Sequence, residues 1–301
     1  MIFTVTFNPA IDYVMQAGDI VFGKTNRSRS EEIFFGGKGI NVSAVLSALG
    51  QSTTALGFTA GFTGEALEKA VAKMGVKTDF VRLKNGNTRI NVKLKGNEET
   101  EINAAGPHIE KEDTDRLFEK FNALKSGDTL VLAGSIPTSL PNDIYEQIAE
   151  KLQNKGIRLV VDATGNLLLN SLKYNPFLIK PNRQELEEII GKEIKTEEQL
   201  ISAANVLKQK GAENVLVSLG SEGAVLLAAD GKVYKQSAFE VKAVNTVGSG
   251  DSMIAGFLAG LKKGCEYALK LGAAAGAATA ALPALATKEK IEQILKNGME
   301  Y

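Results

Sequence analysis

The sequence predicts an α/β fold: a mostly parallel sheet sandwiched between helices, with a small β lid beside it. After residue 110, short apolar runs alternate with amphipathic stretches, the rhythm of βαβ units whose strands are buried on both faces. Two β-rich pieces, about 11–35 and 86–105, break that rhythm and can pair with each other outside the main sheet. Polar residues recur where strands end, which is where open α/β sheets place ligands.

Taken in order, "IFTVTF" has the β-branched and aromatic content of a strand, and Asn8-Pro9 ends it. "IDYVMQAG" and "DIVFGKTNRSRSEEIFF" read as strands and turns. The period then changes in "GGKGINVSAVLSALG", where Ile40, Val42, Val45, Leu46 and Leu49 line a helix that Gly50 ends. "GEALEKAVAKM" is a second helix, and 78–103 returns to strands in "DFVRL", "TRINVKLK" and "TEINAAG". Helices "EDTDRLFEKFNAL", "NDIYEQIAEKLQNKG", a short one near 166–173, "NRQELEEIIG" and "TEEQLISAANVLKQKG" alternate with strands "TLVLAG", "RLVVDA", "FLIK" and "NVLVSLG". "AVLLAA" and "KVYKQS" suit an antiparallel edge, and 250–297 is nearly all helical. No repeat or linker interrupts the chain, so one domain over 1–301 is expected, carrying the lid.

Bulk composition narrows the partners. Lys+Arg and Asp+Glu both number 35, so nothing points to a nucleic-acid groove or an anionic membrane, and a small-molecule partner is expected. The single cysteine, Cys265, excludes an intrachain disulfide and a thiolate metal cluster. The start lacks a basic, apolar leader, and "LGAAAGAATAALPALA", broken by Pro283, suits a close-packed helix better than a membrane span. A cytoplasmic setting is the expectation.

Among the motifs, "GDIVFGKT" satisfies the P-loop pattern, yet "NRSRSEEIFF" behind it is no helix to receive phosphates. "FFGGKGINVS" matches no dinucleotide fingerprint; its glycines either admit a ligand beside Lys38 and Asn41 or form a packing loop. In "NTVGSGDSMIAGF", Asp251 is either a bare cap or a proton acceptor beside an anion held on the Gly248, Ser249 and Gly250 backbone. Asn182 and Glu185 in "KPNRQELEEI" share the first turn of a helix, where they make a capping box or hold Mg²⁺ near nucleotide phosphates. "SLGSEGA" is a turn wrapping a nucleotide or a plain hairpin turn. Arg27, Arg29, Lys38 and Arg89 flank the lid pieces, as solvated charges or as the grip on an anionic sugar phosphate. Asn8, Asp12, Gly134, Ser135, Asp162, Lys180 and Gly220 fall at strand ends. His108 and Cys265 have no ligand cluster around them.

Together "NPAID", "FGGKGINVS", "TRINVK", "AGSIP", "KPNRQEL" and "VNTVGSGDSMIAGF" resemble the phosphofructokinase B group of ribokinase-like sugar kinases over roughly residues 1–290, nearest to its bacterial enzymes for fructose 1-phosphate. The resemblance implies a three-layer α/β/α sandwich with a β lid, ATP and Mg²⁺ as cofactors, and a homodimer through the lid. It implies transfer of the γ-phosphoryl of ATP to the C6 hydroxyl of D-fructose 1-phosphate, with tagatose 6-phosphate as the rival acceptor. Asp251 matches its general base and the 248–250 backbone its anion hole. Asp12, Gly37, Lys38 and Asn41 match sugar-binding positions, and Arg89 and Arg27 the grip on the sugar's phosphate. Asn182 and Glu185 match its metal motif, Ser218, Gly220 and Gly223 its nucleotide loop, and Lys180 a phosphate contact. A non-catalytic sugar-phosphate sensor is the reading from another class, opposed by the intact Asp251. An NAD-dependent enzyme is disfavoured, because no glycine fingerprint follows the first strand.

Overall fold

A computed structural model describes residues 1–298. The chain opens with β1 (Ile2–Thr6) and crosses into a smaller sheet through β2 (Ala10–Gln16) and β3 (Ser30–Gly36). It returns by α1 (Lys38–Ala48) to β4 (Thr53–Ala60), α2 (Gly61–Lys73), β5 (Lys77–Thr78) and β6 (Val81–Leu83), then leaves again for β7 (Arg89–Lys95) and β8 (Glu99–Ile102). Strict alternation follows: α3 (Lys111–Lys120), β9 (Thr129–Ala133), α4 (Ile144–Leu152), β10 (Arg158–Asp162), α5 (Gly165–Ser171), β11 (Leu178–Ile179). Next come α6 (Arg183–Ile190), α7 (Glu197–Gln209), β12 (Asn214–Ser218), β13 (Ala224–Leu227) and β14 (Val233–Gln236), before α8 (Ser249–Gly260), α9 (Cys265–Ala280) and α10 (Lys288–Asn297).

The central sheet runs β14-β13-β12-β11-β10-β9-β1-β4-β5, with β6 also on β4. It is parallel from β12 to β5, and β13 and β14 add the antiparallel edge that the sequence predicts. Side chains alternate across it into two main cores, with a smaller cluster of Ile40, Ala55, Leu67 and Val71 between α1, β4 and α2, giving three layers. Leu130, Leu132 and Val161 meet Leu117, Ile148, Leu186 and Leu207 of the helices α3–α7, while Val131 and Val160 meet Val45, Phe257 and Ile291 on the side of α1 and α8–α10. The smaller sheet has the order β3-β2-β7-β8 and is drawn from both β-rich pieces, forming the lid.

Helices α8 and α9 cross backbone to backbone. A Cβ on Gly256 would lie 2.5 Å from Leu271 O, and one on Gly260 2.7 Å from Ala268 Cα. Small residues permit the approach, and it fixes the direction in which α8 points its N-terminus.

Some expectations change. Strand β4 is absent from the sequence reading because "TTALGFTA" is buried throughout, leaving no alternation, and Gly57 and its threonines break the continuous apolar run that marks the other buried strands. "DFVRL" contributes only the three-residue β6, and "TEINAAG" pairs only as far as Ile102. The P-loop match falls on an exposed turn followed by β3, so no helix receives a phosphate there. Among the described residues no helix is long and apolar enough to cross a membrane.

Candidate active site

A cleft of about 510 Å³ lies between the carboxyl edge of the central sheet and the lid. Its floor is Thr6 and Asn8 at the end of β1, Gly134 and Ser135 after β9, Asp162 ending β10, Lys180 after β11 and Ser218 ending β12. A larger cavity of about 760 Å³ adjoins it under the lid and shares Asp12, Gly37 and Asn41. Asp162, Lys180 and Asp251 line the smaller one, so the buried charges converge there.

Three helices, α1, α6 and α8, start at this cleft. At α8, Gly248 adopts φ 82°, and a Cβ there would come within 2.8 Å of Leu285 Cδ2. The Ser249 N–H donates to Thr246 O at 3.2 Å, whereas those of Gly250 and Asp251 have no partner among the described residues. Such free N–H groups at a helix N-terminus suit an anion. At α1 the glycine motif divides between packing and the cleft wall. A Cβ on Gly39 would meet Val5 O at 2.6 Å, so this glycine serves packing, while Lys38 and Asn41 line the cleft.

The charged groups of the floor form one cluster. Asp162, 3% exposed, accepts from Lys38 Nζ at 3.2 Å and pairs with Lys180 Nζ at 3.1 Å. Burial alone would raise its carboxyl, but Lys180 and Lys38 outweigh burial and hold it below the usual carboxylate range. Lys38 behaves in mirror image: burial pulls its ammonium down, while Asp162 and Asp251 more than restore it. Asp251, 5% exposed, accepts from Asn41 Nδ2 at 2.8 Å through Oδ2. Burial first, and the Asp162 charge second, push its carboxyl up to about 6 against the pull of Asn41, Lys38 and Lys180. Lys180 Nζ lies 3.1 Å from where a Cβ of Gly250 would stand, directly beside the helix start.

The lid supplies Asp12 from β2 and Arg89 and Asn91 from β7. Arg89 donates from Nε to Asn8 O at 3.1 Å and from Nη1 to Ala104 O at 3.4 Å. Burial lowers its pKa, with Asp12 opposing.

On the far side of the floor, Asn182 and Glu185 make the capping box: Asn182 Oδ1 accepts the Glu185 N–H at 2.8 Å, and Glu185 Oε2 accepts the Asn182 N–H at 2.9 Å. Both still line the cleft. Gly220 and Gly223 occupy the turn after Ser218, outside the lining, and Arg27 is exposed on the lid loop away from it. Asn91, and the role of Asp162 between two lysines, escaped the sequence reading. The period-two run Arg89, Asn91, Lys93 in "TRINVK" was the available signal for the first.

Residues 5–290 match the description pfkB family carbohydrate kinase. The chain belongs to that family. This kinase is 45% identical over 297 residues to the 1-phosphofructokinase of Bacillus subtilis (strain 168), covering 98% of this chain and 97% of that one. It is 36% identical to the D-tagatose-1-phosphate kinase of Bacillus licheniformis, covering 97% of each. Its fold superposes on phosphofructokinase-2 from Escherichia coli in complex with fructose-6-phosphate with a TM-score of 0.89, at 29% identity over 98% of each chain.

Proposed function

We propose that this kinase transfers the γ-phosphoryl group of ATP to the C6 hydroxyl of D-fructose 1-phosphate, giving fructose 1,6-bisphosphate and ADP. The observation that carries the reading is Asp251: a buried carboxyl raised to about 6, held by Asn41 through one oxygen, next to free N–H groups at a helix start. Above that pH it is ionised and can take the acceptor proton as the hydroxyl oxygen bonds to phosphorus and the bond to ADP breaks. The Gly250 and Asp251 N–H groups and Lys180 neutralise the transferring oxygens, and Asp162 holds Lys180 and Lys38 in place. Asp12, the Gly37 backbone and Asn41 hold sugar hydroxyls, Arg89 grips the 1-phosphate, and the turn from Ser218 to Gly223 cradles the nucleotide.

Mg²⁺ fits the donor set in one way. Among the described residues there is no cluster of three His, Cys, Asp or Glu, so nucleotide phosphates and water must supply most ligands, as this hard cation normally accepts. Glu185 is the better protein ligand, since Asn182 Oδ1 is committed to the helix start, whereas the Glu185 carboxylate commits only Oε2 and keeps Oε1. When bound, the ion neutralises charge on the nucleotide phosphates.

The lid face turned away from Asp12 carries Ile33, Tyr13, Val92 and Ile102 in one row across its four strands, with Ile33 52% and Ile102 60% exposed. That row supports a homodimer through the lid. A reaction consuming ATP and a phosphorylated sugar fits a cytoplasmic setting.

The relative from Bacillus licheniformis favours a second acceptor, D-tagatose 1-phosphate, which differs from fructose 1-phosphate only at C4 and keeps its phosphate at the same end. Tagatose 6-phosphate would carry its anion at the other end, away from Arg89. Coupled ADP release with MgATP against fructose 1-phosphate, tagatose 1-phosphate, tagatose 6-phosphate and fructose 6-phosphate decides among them. A kcat/KM at least about tenfold higher for fructose 1-phosphate, about 1.4 kcal/mol at the transition state, is expected. Preference for another sugar moves the assignment there, and no transfer to any would return the sensor.

A further inference from the structure

The geometry points to Asn91 as a positioning residue of the sugar site: a lid amide that orients the Asp12 carboxylate and ties residues 103–106 across the cleft. It rests on the reading that Asp12 takes sugar hydroxyls.

Asn91 is 6% exposed and both ends of its amide are committed. Nδ2 donates to Asp12 Oδ1 at 2.8 Å, and Oδ1 accepts the Ala104 N–H at 3.2 Å. Turning the amide over would set donor against donor and acceptor against acceptor, so one orientation is fixed. The parallel register of β2 and β7 places Asp12 directly opposite Asn91. Around them the segment beyond β8 is tied down twice more, by Arg89 at Ala104 O and by Asn8 Nδ2 at Ala105 O, 2.9 Å away. Asn8 of the floor and Arg89 and Asn91 of the lid all line the cleft, so this strap is hydrogen-bonded to both of its walls. Asp12 Oδ2 is left for a ligand, with Lys93 Nζ 4.0 Å from it.

Position 91 therefore requires a donor toward Asp12. Asn91→Asp puts two carboxyl groups in contact, and such a pair retains one proton to higher pH than an isolated carboxyl. The charges facing it are Arg89 and Lys93 from β7, and Glu101 from β8, which already pairs with Lys93 at 3.0 Å. On β3, Phe34 opposite Asp12 brings none, and Glu32, one pair further along the same face, lines the adjoining cavity with Asp12 and Lys93. Once protonated, the new side chain can donate to Asp12 as the amide does, so acid should rescue this variant.

The test uses the full chain with MgATP and fructose 1-phosphate between pH 5.5 and 8.5, comparing wild type, Asn91→Asp, Asn91→Ser, Asp12→Asn and the exchange Asp12→Asn/Asn91→Asp, with melting curves alongside. At pH 8, Asn91→Asp should raise the sugar KM at least about tenfold while the ATP KM stays within about twofold, the effect of losing a hydrogen bond to a charged group. Relative to wild type at each pH, that penalty should shrink toward pH 5.5. Asn91→Ser should raise the sugar KM without this pH dependence, and the exchange should recover melting temperature but not sugar KM. Both Asn91 variants keeping the wild-type sugar KM while Asp12→Asn raises it would overturn the inference alone. So would a loss that moves kcat and both KM values together in step with melting temperature. An unchanged sugar KM in Asp12→Asn would instead overturn the reading of Asp12 itself, and the inference with it.

Discussion

On the floor of the cleft Asp162, Asp251 and Lys180 are at most 7% exposed, and the two carboxyl groups are driven to opposite sides of their ordinary range. On the lid, Asp12 and Lys93 keep side chains 28% and 13% exposed, and strand register decides where they stand. The floor works by desolvation: removing water amplifies every charge, so a few groups can hold an anion and tune a base. The lid works by alternation, which presents Arg89, Asn91 and Lys93 on one face at regular spacing. The proposed function thus puts chemistry where water is scarce, and recognition where a ligand can enter.

Substitutions on each wall test that division. The largest effect is expected from Asp251→Asn, with kcat down at least about 10³-fold in steady-state assays. The same variant should melt higher near pH 7.5. The folded pKa is raised above the unfolded one, so ionisation opposes folding; the amide escapes a penalty on the order of 2–3 kcal/mol above about pH 6. That advantage should shrink as pH falls from about 6, where native Asp251 begins to take its proton, and be gone below about 4. A melting temperature that drops at pH 7.5 would break the account of the floor.

Asp162→Asn comes next. It leaves Lys38 and Lys180 without their shared anion, which should cost about 3 kcal/mol in denaturant titrations and about 10²-fold in kcat. Asp251 also loses the repulsion that helps raise it, so the acid limb of kcat should move below that of wild type, where Asp251 titrates at about 6. An unmoved limb would mean the two carboxyl groups are not coupled.

On the lid, Arg89→Leu should raise the KM for fructose 1-phosphate by roughly 10–100-fold, through loss of a charge-assisted contact, while the acid limb stays in place. A shifted limb there would blur the difference between the walls. The smallest effect on chemistry is expected from the pair Ile33→Glu and Ile102→Glu, which should turn a dimer into monomers in sedimentation velocity with each site's proton balance unchanged. Monomeric wild type would remove the dimer.

The same contrast explains what was legible in the sequence. Parallel strands such as "TLVLA" and "NVLVS" are continuous apolar runs between helical periods, and helix starts announce themselves in "GGKGIN" and "GSGDS". The lid sheet could be anticipated because its two pieces lack helical period. β4 was hidden because Gly57 and three threonines dilute a strand buried on both faces; a Cβ at Gly57 would lie 2.0 Å from Thr6 O, a closeness that only the fold reveals. Single residues of the floor were visible at strand ends, but their coupling was not. Lys38, Asp162 and Lys180 come from α1, β10 and the end of β11, and a proton affinity set by distances among three elements has no local signature. Asn91 was passed over for a related reason: an asparagine in a strand reads as weak strand former until its two partners are known.

The crossing of α8 and α9 has a mechanical consequence. Gly260 stands eleven residues beyond Ser249, roughly 16 Å along the helix axis, so α8 is a lever with its fulcrum in the glycine contacts and its tip at the N–H groups that we propose hold the transferring oxygens. A methyl group added at Gly256 or Gly260 meets backbone, which cannot repack as a side chain does, and must swing the whole rod. On the proposed reading, precision at the reacting centre is thus set by the leanest residues in the protein, at positions outside the cleft lining.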